Sequence, residues 1–120
     1  MSPEGKKVWI IADGFLPEKS NGQFKSHEAV CLLNTGSQEA RVKITVYFED
    51  REPLKNFTVR CGAERTNHVR LDKIKNEEGH KIPAGVPYAL KVVSSEPLVV
   101  QHSRMDTSQP EMSLMTTTAY

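Results

Sequence analysis

The stretch from Ala40 to Asp50 constrains this chain more than any other part of it. Val42, Ile44, Val46 and Phe48 alternate with Arg41, Lys43, Thr45 and Tyr47. A period of two sends successive side chains to opposite faces of an extended backbone, so the segment reads as a β-strand with one face buried and one wet. Glu52-Pro53 breaks the run, and Phe57, Val59 and Cys61 then alternate with Thr58 and Arg60, as a hairpin partner would. Similar segments flank this pair. Lys7–Asp13 is a short apolar run rich in β formers. His27–Asn34 is nearly all apolar in its middle, as for a strand covered on both faces. Asn67–Leu71 alternates, as does Tyr88–Val93. A turn at Glu96-Pro97 then leads to Leu98–Arg104, and Ser113–Tyr120 supplies a last strand. Pro17, Asn21-Gly22, Thr35-Gly36-Ser37, Lys73–Gly85 and Asp106–Pro110 mark the loops. No segment keeps a helical period over two turns. The reading is all-β, with about eight short strands in an antiparallel β-sandwich. Strand edges invite association, which favours a homo-oligomer.

At 120 residues the chain is expected to form one domain, residues 1–120, large enough to bury a core without staples. Its formal net charge of +1 argues against a strongly basic nucleic-acid binder, although a local basic patch stays open. No apolar run is long enough to span a bilayer, and Val8–Ile11 is too short for a signal-peptide core, so the expected compartment is the cytoplasm. Cys31 and Cys61 lack metal-site spacing and fall in apolar stretches, so both are expected as reduced, buried thiols. Trp9 suits the core better than a stacking platform.

Signatures of catalysis are missing: the sequence has no Gly-x-Ser-x-Gly elbow, no Gly-rich phosphate loop and no His-Glu-x-x-His. His27, Glu28, His68 and His102 offer ligand types that zinc accepts, but no tight spacing joins them, and neither metal nor cofactor is expected. The polar residues on strands say more. His68 and Arg70 share a face, as do His102 and Arg104, while Glu28 and Asn34 bracket an apolar run. Two such pairs suit a pocket or interface that recognises a carboxylate, a phosphate or sugar hydroxyls, because arginine presents a planar fork of donors. They equally suit a solvent-facing strand with ordinary charges, which periodicity alone favours.

Five motifs in order give a resemblance. Trp9-x-x-Ala12-Asp13-Gly14, Ser26-His27-Glu28-x-Val30-Cys31-x-Leu33-Asn34, Glu52-Pro53, Arg65-Thr66-x-His68-Val69-Arg70 and Val99-Val100-Gln101-His102-x-Arg104-x-Asp106 resemble the sensory rhodopsin transducer family. The resemblance implies a jelly-roll β-sandwich assembled as a homotetramer, working without catalysis as the partner of a membrane photoreceptor. It also implies rival readings: a sugar- or metabolite-binding module, or a DNA-binding regulator. Carried onto this sequence, it points to His27, Glu28, Asn34, Arg65, His68, Arg70, His102, Arg104 and Asp106 as ligand- or interface-binding candidates.

Overall fold

The computed structural model describes residues 4–18, 27–106 and 113–120. The expected Asn21-Gly22 turn and the loop after Asp106 lie outside the described residues. Seven strands follow one another: β1 Lys6–Phe15, β2 His27–Asn34, β3 Ala40–Phe48, β4 Leu54–Cys61, β5 Arg65–Arg70, β6 Pro87–Asp106 and β7 Ser113–Thr118. All of their pairings are antiparallel. The all-β expectation holds, and the strands form one antiparallel sheet curled into a half-barrel.

The 20-residue β6 organises the sheet. Its first half lies between β1 and β3, with β4 beyond β3; its second half lies between β2 and β7, with β5 beyond β2. This corrects the expected turn at Glu96-Pro97: two expected strands are one, and the described residues hold seven strands. The reason is visible in the register. Val8 pairs with Val93, but Lys6 pairs with Leu98, so the ladder is interrupted where Pro97 sits and its missing N–H costs no bond. Serine hydroxyls take up backbone donors there. The Glu96 N–H donates to Ser94 Oγ (3.2 Å) and the Arg41 N–H to Ser95 Oγ (2.9 Å).

Alternation along β3 sets the core. Val42, Ile44 and Val46 are buried, while Arg41, Lys43 and Tyr47 are exposed. Phe57, Leu32, Leu71, Leu90 and Leu98 join them, each fully buried. Trp9 packs against this cluster, its indole Nε1 donating to the carbonyls of Lys6 and Leu98, both at 2.9 Å. Two expectations need correction. Cys61 is buried but Cys31 is half-buried, because Cys31 projects from the outer face of β2. For the same reason Leu33 is exposed, so β2 is not covered along its whole length. At the end of the chain, Ile10 and Tyr120 exchange both backbone hydrogen bonds, which ties the C-terminal residues to β1.

Truncating Phe57 to alanine should cost about 3–5 kcal/mol in urea denaturation, because a fully buried ring is lost. Val93→Ser, on the outer face, should stay within about 0.5 kcal/mol of the parent. A Phe57→Ala cost below about 1 kcal/mol would contradict this placement of the core.

Candidate functional site

Glu28 is the second residue of β2 and is fully buried. A carboxylate removed from water needs hydrogen bonds to both oxygens. Here four donors converge on it. Oε1 accepts from the Tyr88 hydroxyl and lies 2.9 Å from His102 Nε2; Oε2 accepts from Arg104 Nε at 2.6 Å and from the Phe15 backbone N–H at 3.0 Å. The carboxylate accepts at Oε1, so the shared proton is assigned to His102 Nε2.

Register explains why these groups meet. Glu28 stands opposite Arg104, and Val30 opposite His102, and directly opposed residues share a face of the sheet. Tyr88 arrives from the other half of β6 through its partner Gly14 on β1. A Cβ on Gly14 would sit 2.4 Å from the Tyr88 ring, so only glycine lets that ring lie close enough to β1. Burial pushes the Glu28 carboxyl upward, but hydrogen bonds from His102, Tyr88 and the Phe15 N–H outweigh it and hold the group below 4.5. Burial, then the charge of Glu28 and its hydrogen bond, push the Tyr88 hydroxyl far upward, so it remains a phenol.

This cluster reaches the surface. Beside it lies a cavity of about 260 Å³ whose lining includes Ala12, Asp13, His102, Arg104, Thr118 and Tyr120. Arg104 is half-buried: its Nε is fixed on Glu28, while its terminal guanidinium nitrogens have no hydrogen-bond partner among the described residues. A guanidinium held through Nε at the lining of a cavity can receive a carboxylate, a phosphate or sugar hydroxyls.

The other expected residues fall elsewhere. His68 stands opposite Cys31, one position out of phase with the inner face, so His68 and Arg70 point away from His102 and Arg104. The two His/Arg pairs therefore do not form one pocket. Arg70 makes a two-pronged ion pair with Asp72, at 2.8 and 2.9 Å. Arg65 is exposed and donates to the Glu64 carbonyl at 3.0 Å. Asn34 is buried and braces a turn: its Nδ2 donates to the carbonyls of Gln38 and Cys61, and its Oδ1 accepts from the Gly36 N–H. His27 opens β2 and is half-buried. Asp106 ends β6, and its side chain lies outside the described residues. Among the described residues, no three His, Cys, Asp or Glu side chains are grouped to hold a metal ion.

Tyr88 and Tyr120 are not marked by the sequence as site residues, and Asp13 stands there only as part of the first motif, not as a binding candidate. Tyr88 left a signal. It shares the alternation of Leu90 and Val92, and a tyrosine on a buried face needs a partner for its hydroxyl.

Comparisons with known proteins give one family model and similar solved structures. The family model described as Anabaena sensory rhodopsin transducer matches residues 4–120. The crystal structure of Thermotoga maritima 1070 is similar with a TM-score of 0.86 and 36% identity, covering 97% of this chain and 94% of that one. The structure of the Anabaena sensory rhodopsin transducer is similar with a TM-score of 0.78 and 39% identity, covering 88% of this chain and 92% of that one. No curated protein sequence matches. Among the described residues no helix is long and apolar enough to cross a membrane.

Replacing Glu28 by glutamine should destabilise the fold by about 3 kcal/mol, because the amide nitrogen turns donors toward donors. The pH dependence has a definite sign. Folded Glu28 titrates below 4.5, so its contribution is complete above that pH and is lost as pH falls through the folded value. Denaturation between pH 3 and 6 should therefore show a steeper acid loss in the parent than in Glu28→Gln (about 3 to 6 being the range where carboxyls titrate). Parallel profiles would contradict the ionised assignment.

Proposed function

The chain belongs to the Anabaena sensory rhodopsin transducer family, and on that premise we propose that it is a non-enzymatic signal-transduction protein that acts by binding a membrane receptor or a small ligand. The observation that carries the ligand half of this reading is Arg104, which is anchored through Nε to buried Glu28, has no further hydrogen-bond partner among the described residues and lines the cavity. An anionic or hydroxyl-rich group entering there competes with Glu28 for the guanidinium. Through Glu28 it bears on β1, β2 and both halves of β6 at once. A ligand or receptor surface that prefers one arrangement of this cluster shifts the population toward it, which is what transduction requires.

The name of the family supports a photoreceptor as the membrane partner. We further take residues 1–120 as one domain, the half-barrel as a variant of the jelly-roll sandwich, and the working form as a cytoplasmic homotetramer. The sugar- or metabolite-binding reading uses the same cavity without a receptor. The DNA-binding reading gains little from Arg104, a single cation beside a small cavity.

Two measurements test the proposal together. Calorimetric titration with a panel of small carboxylates, phosphates and monosaccharides should find a binder whose affinity falls at least tenfold in Arg104→Gln (a charge-assisted hydrogen bond being worth about 1.5–3 kcal/mol). The photocycle of a reconstituted sensory rhodopsin should change on adding the protein. Silence in both experiments would refute the reading; a ligand without a photocycle effect would move it to the metabolite-binding alternative.

A further inference from the structure

The outer face of the sheet carries a second, unrelated feature. Where β4, β3 and the first half of β6 run side by side, an open groove of about 760 Å³ is lined by Arg41, Lys43, Lys55, Arg60 and Lys91. The whole chain has a net charge of only +1, so this is a local concentration of charge. Register makes it denser. Arg41 stands directly opposite Arg60 across the β3–β4 ladder, and like charges so placed repel. Among the described residues one carboxylate answers them there, Glu39, at 3.5 Å from Arg60.

An apolar strip adjoins the cations. Val8 pairs with Val93, which pairs in turn with Lys43; Ile10 pairs with Lys91, which pairs with Thr45. Val8, Ile10 and Val93 therefore lie on the same face as the lysines, and they are 43%, 42% and 40% exposed. Tyr47, further along β3, is exposed too.

We propose that this face docks on an anionic lipid surface. Cations beside exposed aliphatic side chains match the two layers of a membrane boundary, phosphate headgroups above and acyl chains below. A second copy of the chain seated face to face would set cation against cation. A nucleic-acid backbone would satisfy the cations but leave Val8, Ile10 and Val93 without an apolar counterpart. The lipid surface answers both strips. The cations and Val93 lie apart from the Arg104 cavity, which Ile10 alone of this strip also borders, and the test needs neither a receptor nor a small ligand.

Co-sedimentation of the full chain with lipid vesicles decides the matter. Binding is expected to vesicles of mixed phosphatidylcholine and phosphatidylglycerol, and not to phosphatidylcholine alone. It should weaken as sodium chloride is raised, since salt screens exposed charges. Arg41→Gln and Lys43→Gln should each weaken binding about fivefold. Val93→Ser, which removes an exposed aliphatic side chain from the groove, should also weaken it, without changing the salt dependence. Both glutamine variants remove exposed charges from a repelling cluster, so their melting temperatures should match or exceed the parent's, which separates lost binding from lost folding. Equal binding to neutral vesicles, binding unchanged in the two glutamine variants, or capture of duplex DNA with no vesicle binding would each overturn the proposal.

Discussion

The structure turns on one buried carboxylate. Glu28 has no access to water, and an unpaired charge in that position would cost more than a small domain can tolerate. It is retained because four donors from two other strands saturate it: Phe15 from β1, and Tyr88, His102 and Arg104 from β6. Removing any one donor leaves the others holding a less complete charge, so the cluster behaves as a unit. It is also the place where β1, β2 and the two halves of β6 are held by something more directional than apolar packing.

That placement links stability to the candidate function. β6 belongs to both halves of the sheet, and its crossing point at Ser94–Pro97 separates Tyr88 from His102 and Arg104 along the chain. Glu28 rejoins them in space. A group bound at Arg104 acts on the same carboxylate that fixes Tyr88 against Gly14, and so on the joint between the halves. The basic outer face is independent of this joint. It lies on the opposite side of the β-sheet from the apolar core, and its residues are exposed where those of the cluster are buried.

Much of this was legible in the sequence, and what was not has physical causes. Strict alternation in β3 and β4 fixed their faces, because only one register buries Val42, Ile44 and Phe57 together. The same alternation put His102 with Arg104, and the motif blocks brought Glu28 into the candidate set. The pairing of β2 with β6 was not legible. It joins residues 74 and 76 positions apart, and only that register shows that Glu28 meets His102 and Arg104 while His68 and Arg70 face the other way. Pro97 misled in a different manner. Proline usually ends a strand, but here it sits where the ladder to β1 skips, so β6 runs on. Asn34 read as a binding candidate because a buried asparagine and a ligand-binding one look alike in sequence; its bonds are all to the backbone of its own turn and of Cys61.

Glu28 is an ionised hub and not a neutral buried acid. Carbon-13 NMR of the side-chain carboxyl of Glu28, followed through an acid titration, reads this directly. A midpoint below the ordinary value of 4.5 is expected, with the carboxylate fully ionised at neutral pH. A midpoint above that value, with the proton still on Glu28 near neutrality, would contradict it.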